Sequence, residues 1–501
     1  MNENKNQTEL NNLLDEYSSD FKKEIKETAI ILAAGHGKRI KSHKSKMLHK
    51  IWGEPTVCRV YDACAKGLVE SNLITVVGIK AEDVIRTVDK RENGIFVYQA
   101  EQNGTGHAVQ VALEKIDMDD YDGTVYVFPG DMGLINKASV EMFKEEFKNS
   151  ESDMMVLTGL YDGDYTENYY GRIVRVKEKD ADGKTSPDAG KVIKIMEHKD
   201  IQNLSEDEKH EVVFNGRKYH YTKKELLQNN EFNSGVFAFK YNYLAELINK
   251  IKSDNVQKEI YLTDLIYLFN ERGLSVGAVS PKQQHVIMGF NNKSVLKEME
   301  KIARAHIYDT LKDIITIEDE EDFFIADDVV EQIIEMDSKG TPLDIVVCKG
   351  AYIGKGVKIN YGSRFSRACY ITDNIILDKN VSIGEDVEMS CYENQKIELG
   401  DNIEILWGDI IKGNIKIGRN SRIESSVNIT GSDEFPVLIG EDVVIKGTSY
   451  IYGSTIEDNI LIYHSVLVRK KVVNPNSDGS QFKVGFYIPE VIGEEGIKDL
   501  K

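Results

Sequence analysis

The sequence predicts an α/β domain built on a mainly parallel sheet, followed by a parallel β-helix of hexapeptide repeats. Three observations lead there. From residue 28 to about 292, strand-like runs at 73–79, 124–128 and 154–160 alternate with helical stretches such as 137–148. That alternation suits a parallel sheet covered by helices. After about 314 a new rhythm starts: Ile353-Gly354, Ile383-Gly384, Leu399-Gly400, Ile417-Gly418 and Ile439-Gly440 each lead, six positions past the aliphatic residue, to Ile359, Met389, Ile405, Ile423 and Ile445. An aliphatic residue every sixth position, with glycine at the corner after it, suits three-sided coils whose apolar side chains stack inward. Regular turns in a β-sandwich would supply the glycines but not the six-residue phase. Third, 501 residues with 41% hydrophobic content are enough for at least two packed cores.

Taken in order, residues 1–27 are polar, with Leu10, Leu13, Leu14 and Phe21 at roughly helical spacing, and predict an N-terminal helical extension. Residues 28–293 form the α/β domain. In 294–313, Leu296, Met299, Ile302, Ala303, His306 and Ile307 make the stripe of a linker helix. The β-helix is expected over 314–475, with the acidic, less regular stretch 311–341 as a degenerate first coil and variable repeat spacing as insertions. Residues 476–501 are left as a C-terminal tail.

Composition excludes several classes. No run approaches the length of a membrane span, and the start, Met1-Asn2-Glu3-Asn4-Lys5, has no signal-peptide character, so the expected location is cytoplasmic. Five cysteines without C-x-x-C spacing suggest neither a disulfide framework nor a zinc site. A net charge of -20 disfavours nucleic acid and anionic membranes as partners. An anionic substrate must therefore be met by a locally basic pocket.

Such a pocket is written at 30–46. The run Ile30-Ile31-Leu32-Ala33-Ala34-Gly35-His36-Gly37-Lys38-Arg39, with Lys46 seven residues on, reads as a buried strand delivering a phosphate-binding turn. Small residues let backbone N–H groups approach phosphates, while Arg39 and Lys46 bring charge. No G-x-x-x-x-G-K-[ST] is present, and Ile40 stands where a dinucleotide fingerprint has its third glycine. An ordinary strand-to-helix turn with a solvated basic surface is the competing reading. In Gln99-Ala100-Glu101-Gln102-Asn103-Gly104-Thr105-Gly106-His107-Ala108, side-chain amides and glycine N–H groups can read the edge of a pyrimidine. Val125-Tyr126-Val127-Phe128-Pro129-Gly130-Asp131 places a carboxylate just past a strand, suited either to a helix cap or to Mg²⁺ held against substrate phosphates.

Together with Tyr170-Gly171-Arg172-Ile173, Met196-Glu197-His198-Lys199-Asp200, Phe232-Asn233-Ser234-Gly235, Tyr261-Leu262-Thr263-Asp264 and Gly289-Phe290-Asn291-Asn292, these islands resemble, in order, the sugar-nucleotide pyrophosphorylases. The resemblance is strongest to the bifunctional N-acetylglucosamine-1-phosphate uridyltransferase and glucosamine-1-phosphate acetyltransferase family. It implies a Rossmann-like nucleotidyltransferase domain, a left-handed β-helix and a homotrimer. It also implies Mg²⁺-dependent formation of UDP-N-acetylglucosamine and pyrophosphate from UTP and N-acetylglucosamine-1-phosphate. By the same resemblance, Leu32, Ala33, Ala34 and Gly35 with Arg39 would hold the triphosphate and Lys46 the reacting phosphates. Gln99, Gly104 and Thr105 would read uracil, Asp131 and Asn291 would hold the metal, and Gly171, Glu197 and Asn233 would bind the sugar and ribose. On the residues alone, Asn291-Asn292 equally suits the cap of the helix starting near Ser294, and Glu197 a solvated charge. His36, His43, His49 and His107 suggest no metal set.

The chain departs from that family at Ser45, where proline is usual before the lysine, at Lys38, where a small residue is common, and at Gly133, where proline follows the metal-binding Asp. It is longer than typical relatives near 177–190 and 201–230, on both sides of Glu197, which leaves the exact sugar-1-phosphate open. The acetyltransferase segments are not recognisable: His464 is the only histidine after His306, without the family's Lys, Tyr and Asn companions. Alternatives are a bifunctional enzyme, a pyrophosphorylase for another sugar, and a non-catalytic sugar-nucleotide sensor.

Overall fold

In a computed structural model of the chain, residues 2–35, 37–116, 121–206 and 209–487 are described. Met1, His36 and residues 488–501 of the expected tail therefore lie outside the described residues, as does the Lys38 side chain. The chain divides into two compact units, residues 1–300 and 301–501.

The first unit is built on strand β1 (Glu27–Ala33), whose Ile30 and Ile31 are fully buried. Strands β2 (Asn72–Val77) and β4 (Thr124–Pro129) flank β1, and β3 (Gly94–Tyr98) pairs with β2, all in parallel. Beyond β4, β10 (Glu231–Lys240) runs antiparallel to β4 and to β5 (Met154–Leu160), and β11 (Val276–Val279) closes that edge in parallel with β5. Strand β6 (Arg172–Arg175) pairs with β10 and with β7 (Val192–Met196). Because helices cover both faces, the central strands are apolar on both sides. One face packs on α2 (Thr56–Leu68) and α4 (Lys137–Asn149), through Val57, Val60, Cys64, Val140 and Phe143. The other packs on α3 (Thr105–Leu113) and the helices Tyr241–Leu247 and Leu265–Glu271.

The N-terminal extension is pinned to this body. Its helix α1 (Asn2–Tyr17) buries Leu13 with Leu10, Leu14 and Tyr17 against the core. The Asn72 side chain then holds both the N–H and the carbonyl of Lys22 at 3.0 Å. The two extra segments also fold. Lys209–Phe214 (β8) and Arg217–Thr222 (β9) form an antiparallel hairpin, and Arg217 donates to Asp180 in the earlier segment at 3.0 Å.

The second unit is the left-handed parallel β-helix. Its strands form three all-parallel sheets. On one inner side Phe365, Ile383, Ile405, Ile423, Ile445 and Ile462 stack in register; on the next, Ile353, Ile371, Met389, Ile411, Ile429, Ile451 and Leu467 do so. At one corner Asn380, Asn402, Asn420 and Asp442 all have positive φ, which Asn and Asp tolerate better than other non-glycine residues. Their side chains hydrogen-bond from coil to coil at 3.0–3.1 Å.

Two expectations are corrected here. The 311–341 stretch is only partly a coil: after Thr316–Ile317 and Phe324–Ile325 the third side is replaced by a helix, Asp327–Asp337, which buries Val329, Val330 and Ile333. The β-helix does not stop at 475, because Phe482–Gly485 pairs in parallel with Ile460–Tyr463. The helix expected over 294–313 runs Lys293–Leu311, and the division between the units falls within it.

Candidate active site

Sheet order sets the place of the site. Chain connections leave β1 toward β2 on one side and return through β4 on the other, so the carboxyl end of β1 is a topological switch point, where open α/β sheets bind ligands. Leu32 pairs with Pro129, and Gly130 N–H donates to the Leu32 carbonyl at 3.0 Å, which brings the turn after β4 against the turn after β1.

Lys46 enters this crevice from a short 3₁₀ turn, Lys46–Leu48, whose three residues are buried. Thr56 anchors that turn by donating its hydroxyl to the Met47 carbonyl at 3.1 Å and its N–H to the His49 carbonyl at 2.9 Å. The Lys46 ammonium pairs with the Asp131 carboxylate and donates to Asn291 Oδ1 at 3.0 Å, with the two charged side chains only 10% and 16% exposed. It also lies 5.3 Å from the centroid of the Phe290 ring, a cation–π contact. Residues 85 and 245 positions away in sequence thus meet on one ammonium. Asn291 faces Lys46, whereas Asn292 Oδ1 accepts from Val295 N–H at 2.9 Å and caps the following helix.

Two glycines make this approach possible. At Gly37, where φ is 63°, a Cβ would lie 2.6 Å from the Lys46 Cβ. At Gly133 it would lie 2.8 Å from Ile51 Cδ1, so the departure from proline there is filled by Ile51 and Thr56. Ser45, the other departure in the loop, is buried with its hydroxyl unpartnered.

The second group sits beyond β3. Gln99 is 3% exposed; its N–H donates to the Val77 carbonyl at 2.8 Å and its Nε2 to the Gly104 carbonyl at 3.2 Å. Gly104 has φ 105° and passes so close to Ile260 that a Cβ would lie 2.6 Å from its carbonyl oxygen. The Thr105 hydroxyl accepts from Leu262 N–H at 3.2 Å, tying the segment to Tyr261-Leu262-Thr263-Asp264.

Gly171, Glu197 and Asn233 form the third group. Asn233 N–H donates to the Gly171 carbonyl at 2.9 Å, and a bulge in β10 between Asn233 and Val236 re-aims the strand there. A Cβ at Gly171 would lie 3.1 Å from Glu197 Oε1. The Glu197 carboxylate has no hydrogen bond or ion pair among the described residues. Burial pushes its pKa up to about 7, with Asp200, Asp264 and Glu259 adding to the effect. Burial likewise pushes Asp264 up to about 6, against the pull of Lys194. Tyr170 stacks on Phe232 at 4.5 Å and donates its hydroxyl to the Gly289 carbonyl at 3.5 Å, joining this group to the Lys46–Asp131 pair.

Arg39 is not drawn in. It is exposed on the 3₁₀ turn Lys38–Ile40 and has no hydrogen bond or ion pair among the described residues. Leu32, Ala33, Ala34 and Gly35 offer backbone only. The structure adds Gly37, Phe290 and Asp264 to the site; the G-x-G spacing is the sequence signal for Gly37, while Phe290 and Asp264 carry no chemical cue beyond their motifs. In the β-helix, His464 Nδ1 lies 2.5 Å from the Gly447 carbonyl and 2.9 Å from Thr448 Oγ1, local turn contacts on an exposed coil. Among the described residues no three His, Cys, Asp or Glu side chains are grouped to hold a metal, and no helix is long and apolar enough to cross a membrane.

The MobA-like NTP transferase domain family matches residues 29–181. The chain is 31% identical over 426 residues to the bifunctional protein GlmU of Clostridium beijerinckii, covering 84% of this chain and 79% of that protein. It is 30% identical over 428 residues to the bifunctional protein GlmU of Carboxydothermus hydrogenoformans, covering 85% and 84%. A solved UDP-glucose pyrophosphorylase complexed with UDP-glucose matches 55% of this chain and 98% of its own at 12% identity and a TM-score of 0.38, too low a likeness to bear on the site.

Proposed function

We propose that this chain, a nucleotidyltransferase that belongs to the GlmU family, joins UTP to N-acetylglucosamine-1-phosphate, releasing pyrophosphate and UDP-N-acetylglucosamine. The observation that carries this reading is the Lys46 ammonium held between Asp131 and Asn291 at the switch point. One carboxylate and one amide oxygen already converge on a cation there. That is a donor set suited to Mg²⁺, which takes one or two carboxylates and completes its shell with water and substrate phosphates. When bound, the ion would neutralise phosphate charge and orient the reacting groups.

The rest falls to the chain's own residues. A phosphate monoester is largely dianionic near neutral pH, so the sugar phosphate needs no general base. Its oxygen attacks the α-phosphorus in line, and the bond to the β-phosphate oxygen breaks with pyrophosphate as the leaving group. Asp131 and Asn291 would hold the ion, and the Lys46 ammonium would offset charge on the reacting phosphates. Arg39, exposed and uncommitted, closes on the triphosphate from the turn. Gln99 and the Gly104–Thr105 backbone hold the uracil edge. Gly171, Glu197 and Asn233 hold the sugar and ribose, with the ionised Glu197 accepting from a sugar N–H or O–H. The reading places the enzyme in the cytoplasm, with its nucleotide substrate.

Pyrophosphate release across a panel of nucleotides and sugar-1-phosphates tests this. UTP with N-acetylglucosamine-1-phosphate should be the preferred pair, and only with a divalent ion. Equal rates with ATP would remove the uracil site, and no turnover with any pair would leave a non-catalytic sensor. We further propose that the β-helix carries no acetyl transfer, because a base must reach the attacking amine and His464 is engaged in local turn contacts. Thiol release from acetyl-coenzyme A that is lost in His464→Ala would overturn this.

A further inference from the structure

We infer that the N-terminal extension is a working part of the base site: residues 18–22 and helix α1 fix the end of β3, and so set the position of Gln99 and the affinity for the uracil nucleotide; this rests on the nucleotidyl-transfer reading above. The extension precedes residues 29–181, which the nucleotidyltransferase family matches, and the proposed reaction gives it no other task. Ser18 is its positioning residue.

The need for a brace follows from the order of the sheet. The cradle and Asp131 follow β1 and β4, which are each paired on both sides, whereas β3 is the last strand in the order and pairs with β2 alone. An edge strand turns a row of N–H and C=O groups away from the ladder. It also opens locally more readily than a central strand. Gln99 directly follows β3 and takes its position from that strand end.

The extension supplies the missing edge. Phe96 N–H donates to Ser18 Oγ at 2.9 Å and Ser19 N–H donates to the Gly94 carbonyl at 2.7 Å, so the outward edge of β3 is bonded to residues 18–19 much as it would be to another strand. Ser18 is itself tied back to α1, because its N–H donates to the Leu14 carbonyl at 3.1 Å. Four residues on, the bonds between Lys22 and Asn72 fasten the same segment to the start of β2.

Side-chain alternation completes the clamp. Phe96 and Tyr98 belong to the core that takes Leu10, Leu13, Leu14 and Tyr17 of α1, while Ile95 and Val97 belong to the opposite core, which packs on α3. Gln99 then turns to the α3 side, where its Nε2 donates to the Gly104 carbonyl at 3.2 Å and leaves its own carbonyl oxygen for the base. The strand end is thus held along its edge by Ser18 and on one face by α1, and it presents Gln99 on the other. A shift of that end moves Gln99 and the Gly104 backbone it holds, and leaves Lys46, Asp131 and the sugar-side residues in place.

The test uses the full chain and UTP itself. Calorimetric titration with UTP, the KM for each substrate and kcat are measured for the unaltered protein, Ser18→Ala, Ser18→Thr and Leu13→Ala. Ser18→Ala should bind UTP about fivefold more weakly, the effect of one hydrogen bond, with kcat and the sugar-phosphate KM within about twofold. Ser18→Thr keeps the hydroxyl and should restore binding, and Leu13→Ala, which loosens α1, should weaken UTP in the same selective way. Unchanged UTP affinity in both Ser18→Ala and Leu13→Ala, with only the unfolding midpoint lowered, would show that the extension merely adds stability and overturns the proposal. An equal rise in both KM values, a Ser18→Thr protein that binds no better than Ser18→Ala, or an unaltered protein that binds no UTP overturns it as well. A protein that turns over no substrate yet loses UTP affinity in Ser18→Ala would refute the reaction and keep the brace.

Discussion

Replacing Glu197 by glutamine separates the electrostatics of the sugar side from its chemistry. The carboxyl is half-buried beside Gly171 without a partner among the described residues, and burial first, then Asp200, Asp264 and Glu259, raises its pKa from 4.5 to about 7. Between those two pH values the folded protein keeps a proton that the unfolded chain has released. Stability therefore falls as pH rises from about 4.5 to about 7, and the full penalty persists above that window. At about 1.4 kcal/mol per pH unit the penalty is about 3 kcal/mol. Glutamine has nearly the same shape and no charge at any pH. Glu197→Gln should therefore stabilise the 1–300 unit by about 3 kcal/mol at pH 8 but by under about 1 kcal/mol at pH 5, while raising the KM for the sugar-1-phosphate. Urea unfolding followed by Trp52 fluorescence reports on that unit, in a Trp407→Phe background because the chain has only these two tryptophans. Equal stabilisation at both pH values, or destabilisation at pH 8, would mean the folded carboxylate is ionised and partnered, and would refute the reasoning.

Asp131→Asn keeps the shape at the Lys46 contact and removes the charge; turnover should fall by about three orders of magnitude in a protein that Trp52 fluorescence shows to be still folded. Gly37→Ala sets a Cβ 2.6 Å from the Lys46 Cβ at a φ of 63°, so turnover should drop at least about tenfold, and retention of normal kcat would show that the loop relaxes freely. Asn402→Ala removes two rungs of the corner ladder and puts alanine at φ 57°; the β-helix, followed by Trp407, should lose about 2 kcal/mol while the Trp52 transition stays put. Light scattering should give the mass of three chains, the number that the family resemblance implies, with closed symmetry letting the same β-helix surfaces serve every subunit equally, and a monomer at micromolar concentration would exclude this.

What could be read in the sequence follows from which signals are periodic or local. The six-residue phase reports side chains that point into the coils, so the inward stacks from Ile353 to Leu467 were visible. The Asn380–Asn402–Asn420–Asp442 ladder was not, because insertions at 391–396 and 432–436 make its spacing irregular while the coils keep it in register. The helix Asp327–Asp337 carries buried residues at Val329, Val330 and Ile333, a spacing that a search for hexads passes over. The residues around Lys46 were individually legible as phosphate chemistry, but their meeting depends on the β1–β4 register, which no local pattern encodes, and on the close approach of Gly37 to Lys46, which the G-x-G spacing alone does not specify. Arg39 had the strongest motif position and the least structural support, because a side chain on an exposed turn has nothing to close on without a polyanion.

The extra length on either side of Glu197 was readable as length alone, and its fold gives it a physical role. Phe214, Tyr219 and Tyr221 of the β8–β9 hairpin pack with Val174, Ile193 and Met196 in a core separate from the two that flank the main sheet. Ile193 and Met196 belong to β7, and Glu197 follows it directly. Asp180, in the earlier segment, accepts from Arg217 and from Lys184 N–H, locking the two extra segments together. An unpartnered carboxyl can be kept buried only on backbone that cannot relax to let water in. The hairpin core supplies that stiffness beneath Glu197, so weakening it, as Tyr219→Ala would, should lower the apparent pKa of Glu197 and flatten the pH dependence of stability before it unfolds the unit. A pH profile as steep as that of the unaltered protein would show that the hairpin merely rides on the domain.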